Sequence, residues 1–166
     1  LTIGNLQSLA GELTARAELV SLLEEKPLAA EPPRWPDLEK TLEELEALPL
    51  ESARDGDKLR ERAERLLSLV RSLAEARDPG GARGQLEAES VLAAGAWVLN
   101  RSYNVSSAGA WGSAATVAEV RGTARATCEL LNETLDACRS EALAEVLPLI
   151  VSFVASDARD RGTEGV

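Results

Sequence analysis

The chain of 166 residues contains no histidine and no methionine, and only 3% of its residues are aromatic. Histidine is the base of Ser-His-Asp and Cys-His nucleophile systems and a ligand in most zinc and di-iron sites, so its absence excludes these classes. A glycoside hydrolase needs only paired carboxylates, but so few aromatic side chains offer little surface for stacking on sugars. We therefore expect a noncatalytic protein that holds no metal ion and no cofactor.

The chain also has no excess of basic residues and no long apolar run. The 18 basic residues are outnumbered by 28 acidic ones, which gives a net charge of −10. Nucleic acids and anionic membrane surfaces are bound through Lys and Arg, so we expect neither as a partner. The arginines of residues 59–77 alternate with glutamates, and Glu61 precedes Arg65 by four residues. This pattern predicts a salt-bridged, solvated face rather than a basic patch.

The residues that are present favour helix. Hydrophobic residues make up 45% of the chain, and Ala, Leu, Glu and Arg are all good helix formers. This composition predicts an all-α protein with an aliphatic core. The longest apolar stretch, residues 142–155, is interrupted by Glu145, Pro148 and Ser152, so we expect a buried helix there rather than a membrane span.

Apolar residues recur at helical spacing along most of the chain. Because the heptad phase persists in several segments, the predicted fold is an elongated antiparallel bundle of about five to six helices, one of them short. Prolines and glycines set most of the predicted boundaries: helices over residues 3–26, 37–48 and 84–100, a fifth from about 113, and a sixth over 140–155. Between residues 48 and 84 we expect a helix that Ser52, Asp55 or Asp57 can cap and that ends at Arg77. We expect Pro148 to bend the sixth helix or mark its start, and Gly95 to mark a close helix contact.

The connections and the chain organisation follow from the same signals. Residues 27–36 contain four prolines and predict an extended connector held by Trp35. Residues 101–112 predict a polar loop anchored by Trp111. We expect residues 1–155 to form a single domain and residues 156–166 to be a disordered tail.

Three of the four asparagines lie in N-x-Ser/Thr sequons, at Asn100, Asn104 and Asn132. Such sequons accept a glycan only in a eukaryotic secretory pathway and only on exposed backbone. Asn100 and Asn104 fall where helix signals fade. The sequons therefore predict an extracellular or cell-surface glycoprotein.

Cys128 and Cys138 are the two cysteines, ten residues apart. On one continuous helix they would be about 15 Å apart, too far for a disulfide. If the helix breaks, they can bond. Because the Asn132 sequon lies between them, we expect an exposed inter-helix turn closed by a Cys128–Cys138 disulfide, stable in an oxidising compartment.

Together these features predict an excised ectodomain of a surface or secreted glycoprotein that coats, adheres or binds a protein partner or receptor. We expect any membrane anchor to lie outside this stretch of sequence. The Ala-, Glu- and Leu-rich helical character resembles that of parasite coat proteins and surface antigens, although no motif carries the resemblance. The alternatives are a secreted four-helix cytokine-like ligand, a helical carrier of a small apolar ligand, and a prokaryotic adaptor with accidental sequons.

Overall fold

The computed structural model describes residues 3–15, 20, 22–23, 25, 29–77 and 81–163. Within these residues the protein is all-α and has no strand, which confirms the predicted helical bundle. The elements are α1 (Ile3–Ala15), α2 (Leu38–Glu46), a 3₁₀ turn (Leu50–Ser52), α3 (Lys58–Arg77), α4 (Gly81–Leu99), α5 (Ala108–Trp111) and α6 (Ala114–Thr163). The first predicted helix continues beyond Ala15 mostly into residues outside the described ones.

The chain divides into two compact units. The terminal unit comprises Leu1–Pro33 and Asp136–Val166, and the central unit comprises Arg34–Leu135. The physical reason is that the buried apolar residues form two separate clusters. The cluster of the terminal unit consists of Leu13, Val20, Leu147, Val151 and Val154.

Helix starts in the central unit follow the expected capping chemistry. Asp37 caps α2, because its Oδ1 accepts a hydrogen bond of 3.0 Å from the backbone N–H of Lys40. Asp57 caps α3 in the same way, and Ser113 accepts from the backbone N–H of Thr116 at 3.0 Å before α6. These side chains satisfy backbone donors that the first helical turn leaves unpaired.

Helices α3 and α4 form an antiparallel pair. Gly84 lies against the carbonyl of Arg77 at one end, and Gly95 lies against Leu69 further along. A Cβ atom at Gly95 would stand 2.3 Å from Leu69 Cδ1, so any larger residue there would force the Leu69 side chain to move. The predicted close helix contact at Gly95 is therefore confirmed.

The core of the central unit is aliphatic, as predicted. Its largest fully buried aliphatic side chains come from α2, α3, α4 and α6: Leu45, Leu59, Leu66, Val70, Leu73, Leu92, Val120 and Leu131. Trp111 is the one aromatic among the largest fully buried side chains. Trp35 packs on the rim of this core, with the Arg77 guanidinium 4.7 Å from its ring centroid. Trp35 therefore holds its extended segment against the core, as predicted, and Trp111, the last residue of α5, is buried within that core.

Helix α6 is a single helix of 50 residues, where we predicted two helices with a break between them. No glycine or proline occurs between Gly122 and Pro148, and Leu131 and Leu135 keep the buried face in phase. The helix also continues across Pro148. Proline inside a helix costs about 3 kcal/mol, and burial of apolar residues on either side of it offsets that cost.

The predicted disordered tail is helical over residues 156–163, because α6 extends to Thr163. Residues 164–166 lie outside the described part of the chain. No helix that the structure describes has the length and apolarity needed to cross a bilayer.

Candidate functional site

A groove of about 230 Å³ opens on the central unit, where α3 lies beside the end of α4 and the segment that follows α4. We call it the Trp97 groove, and its lining residues are Lys58, Glu61, Arg62, Arg65, Trp97, Val98, Arg101 and Tyr103. Four of these side chains are cations and one is a carboxylate. The chain has a net charge of −10, but the side chains that line the groove are mostly positively charged.

The indole of Trp97 is half exposed, at 50% of its full area, and two arginines flank it. The guanidinium carbon of Arg65 lies 5.7 Å from the indole centroid, and that of Arg101 lies 5.8 Å from it. Each contact is a cation–π interaction of about 0.5–1 kcal/mol at an exposed site. The antiparallel pairing of α3 and α4 brings Arg65 to Trp97, and one helical turn brings Arg101.

The groove corrects our prediction for the arginines of α3. Arg60 does pair with Glu64 at 2.8 Å, and Arg71 pairs with Glu46 at 2.7 Å. Arg65 instead lies over Trp97, and among the described residues it forms no ion pair with Glu61. The salt-bridged face therefore covers only part of α3, and the part that faces α4 belongs to a basic patch.

Asp57 organises the chain segment that borders the groove. Its Oδ1 accepts from the backbone N–H of Leu59 at 2.9 Å and from Trp111 Nε1 at 3.1 Å, and its Oδ2 accepts from the Ser106 hydroxyl. Burial raises the pKa of Asp57, but the hydrogen bonds from Ser106, Arg60 N–H, Trp111 and Leu59 N–H outweigh it and hold the pKa below its ordinary value. The carboxylate therefore ties the start of α3 to residues 106 and 111.

The segment between α4 and α5 has a fixed path. Ser106 adopts a positive φ of 82°, which is strained for a residue with a side chain. Arg121 holds it there by donating from Nη2 to the carbonyls of Val105 at 3.1 Å and Ser106 at 2.7 Å. Arg62 also donates to the carbonyl of Ser102. These bonds fix the positions at which Arg101 and Tyr103 line the groove.

Tyr103 closes the floor of the groove and is only 3% exposed. Its hydroxyl lies against the Cys128 thiol and has no nitrogen or oxygen partner among the described residues. Burial raises the pKa of Tyr103 and that of the Cys128 thiol above their ordinary values. Both groups are therefore neutral and packed rather than reactive.

The structure separates the three sequons. Asn100 follows the last residue of α4 and Asn104 lies in the irregular segment after it, and both side chains are exposed. Asn132 lies inside α6 and is half-buried, so it is not at the inter-helix turn that we predicted. Asn100 and Asn104 bracket two groove residues, Arg101 and Tyr103, in the sequence.

The predicted Cys128–Cys138 disulfide is wrong: both cysteines are buried, and no disulfide joins them. The reason is the continuity of α6, because ten residues of helix separate two Cα atoms by about 15 Å and a disulfide requires about 7 Å or less. The sequon between the cysteines predicted a turn, but the apolar residues of this segment keep helical spacing, and the segment is part of α6.

Thiol counting tests this correction. We expect the native protein to react with neither thiol, because both are buried, and the unfolded protein to show two reactive thiols without reductant. A thiol-specific chromogenic reagent, used with and without denaturant, gives the count, and the reduced sample supplies the control. A count of zero in the unreduced, unfolded protein would restore the disulfide.

Sequence reasoning found the sequons but missed Trp97. The apolar face of α4 contains Ala88, Leu92, Val98 and Leu99, and Trp97 lies beside this face rather than in its centre. Arg101 follows Trp97 by four residues and so lies on the same side of the chain. A tryptophan beside the core face, followed by arginine one turn later, was the available signal.

No group of three or more potential metal-ligating side chains occurs in the described part of the chain. Comparison with protein-family models, with curated proteins and with solved structures gave no match to this chain.

Proposed function

We propose that the protein is a noncatalytic extracellular or cell-surface glycoprotein that binds a protein partner through the Trp97 groove. The observation that carries the proposal is the exposure of Asn100 and Asn104 on the segment that borders the groove. Glycan acceptors and a candidate binding surface then lie on the same face of the central unit.

The accessibility of the sequons supports the secretory part of the proposal. Oligosaccharide transfer requires an exposed acceptor, and Asn100 and Asn104 are both exposed. Asn104 lies in the irregular segment, whereas Asn100 ends the last turn of α4, with its backbone N–H and its Nδ2 bonded to the Ala96 carbonyl. Asn132 is a poorer acceptor in the folded chain, since it is half-buried in the interior of a helix.

The composition of the groove supports the binding part. Energetic centres of protein interfaces are enriched in Trp and Arg and depleted in Lys and Glu. The groove presents a half-exposed tryptophan between two arginines; Arg65 and Trp97 lie on the paired helices α3 and α4, and Arg101 lies just after α4. Such a rigid anchor lowers the entropic cost of association.

The buried thiols are compatible with an oxidising compartment. Oxidation proceeds through the thiolate, and burial raises the pKa of Cys128 and so suppresses that form. A buried Cys128 thiol that is inert in this way persists outside the cell without forming a disulfide.

A mass measurement tests the glycoprotein assignment. We expect protein secreted from eukaryotic cells to lose mass on treatment with an N-glycan amidase, and the Asn100→Gln/Asn104→Gln variant to lose most of that difference. Asn132→Gln is the matched control and should change the mass little. Secreted protein with an unmodified mass would contradict the proposal.

A further inference from the structure

We infer that the Trp97 groove binds an acidic peptide segment of a protein partner, with an apolar side chain of that segment beside the indole and its carboxylates on the surrounding cations. This deepens the proposed function and rests on it, because it names the chemistry of the partner. Lys58, Arg62, Arg65 and Arg101 supply the positive charge.

The cations of the groove are free to accept a ligand. Among the described residues, Lys58, Arg65 and Arg101 form no ion pair, whereas elsewhere in the central unit Arg60, Arg71 and Arg83 each pair with a glutamate. Arg62 uses one of its donors on the Ser102 carbonyl. Arginine has five N–H donors in a planar fork that matches a carboxylate, so these groups remain able to bind one.

The net negative charge of the chain does not prevent this. At physiological ionic strength charges are screened over about 8 Å, so the field within the groove is set by the side chains that line it. Only Glu61 among the lining residues is acidic. The rest of the acidic surface then disfavours docking of an acidic segment anywhere else, which places the partner in this groove.

The size and the apolar lining indicate a peptide. The volume of about 230 Å³ is below the range of roughly 300–1,000 Å³ for drug-sized ligands. It has room for one or two amino-acid side chains against the indole of Trp97, the Val98 side chain and the Tyr103 ring. Carboxylates on either side of such a residue reach Arg65 and Arg101, both of which lie against the indole.

Binding of a random copolymer of glutamate and tyrosine, fluorescently labelled, to the secreted protein tests the inference by anisotropy. We expect saturable binding that weakens when the salt concentration rises from about 0.15 M to about 0.5 M. Trp97→Ala should weaken binding by about tenfold or more, as for the anchor of an interface. The Arg65→Gln/Arg101→Gln variant should weaken it by roughly tenfold, from two ion pairs of up to about fivefold each.

The matched control is Arg83→Gln/Arg125→Gln, which removes the same charge from exposed positions outside the groove. It should leave the affinity within about twofold of the wild type. Equal weakening by both double variants, or no saturable binding of the copolymer, would overturn the inference. Tighter binding of oligothymidylate or of a sulfated polysaccharide than of the copolymer would also overturn it, by assigning the groove to another polyanion. Unglycosylated protein can still bind the copolymer. A negative mass measurement would therefore contradict the glycoprotein proposal alone, and a negative binding test would contradict the inference about the groove alone.

Discussion

Asp57→Ala lowers the free energy of unfolding of the central unit by about 2 kcal/mol. Loss of a helix N-cap costs about 0.5–2 kcal/mol, and loss of a side-chain hydrogen bond costs about 0.5–1.5 kcal/mol. Both losses follow here, because the Asp57 carboxylate caps α3 and accepts from Trp111 Nε1 and from the Ser106 hydroxyl. Trp111 Nε1 keeps a second acceptor, Ser106 Oγ at 3.0 Å, so this buried donor is not left unpaired. Urea unfolding followed by circular dichroism measures the change.

Asp57→Asn is the matched control for this substitution. The asparagine keeps one side-chain oxygen for the cap of α3 and for Trp111, so we expect it to lose less than half as much stability as alanine. Equal losses in the two variants would show that the charge, and not the acceptor geometry, stabilises the cluster. A loss within about 0.5 kcal/mol for alanine would contradict the role of Asp57 altogether.

The same carboxylate gives stability a defined dependence on pH. Because the folded-state pKa of Asp57 is lowered, its contribution is fully present above the unfolded pKa of about 3.9 and is lost as the pH falls through the lower folded value. Stability of the wild type should therefore fall more steeply below about pH 4 than that of Asp57→Asn. If the free energies of unfolding of the two proteins depend on pH in the same way, this expectation is wrong.

Gly95→Leu lowers the free energy of unfolding by about 3 kcal/mol, at the upper end of the range for overpacking. Even a Cβ atom at this position would stand 2.3 Å from Leu69 Cδ1, and Leu69 is itself buried between α3 and α4. Leucine is a good helix former, so the loss cannot come from helix propensity. Chemical denaturation of the purified variant gives the value.

Gly122→Leu provides the matched comparison. Gly122 also lies inside a helix, but no atom comes within 4 Å of a Cβ built there, so we expect a gain of up to about 1 kcal/mol from propensity. Adding Leu69→Ala to Gly95→Leu should restore part of the lost stability, since the two side chains compete for one space. Additive losses in that double variant would place the strain elsewhere.

The sequence by itself determined which segments are helical. Helix propensity, apolar spacing and capping residues act over a few neighbouring positions, so Asp37 and Ser113 could be recognised as helix starts without knowledge of the fold. Asp57 could be recognised only as one of three possible caps for α3, beside Ser52 and Asp55. The close contact at Gly95 could be predicted in the same way, because glycine in the middle of an apolar helical face costs helix stability unless a neighbouring helix needs the space.

Continuity between segments was harder to predict, because two local signals disagreed. The sequon at Asn132 and the spacing of the cysteines indicated a turn, whereas the absence of glycine and proline from residues 123–147 indicated a continuous helix. The packed face of α6 decides the matter, since Leu131 and Leu135 are buried in one phase. The absence of a disulfide between Cys128 and Cys138 follows from that continuity, and no rule of spacing alone could have chosen between the two states.

Only the tertiary structure decided which group the Arg65 side chain of α3 contacts. The sequence offers Arg65 a local partner in Glu61, and an exposed pair of this kind contributes only about 0.3–0.5 kcal/mol. Antiparallel pairing of α3 with α4 offers it the indole of Trp97, which contributes as much or more. Because the competing partner is 32 positions away in the chain, the Trp97 groove exists only once the two helices have met.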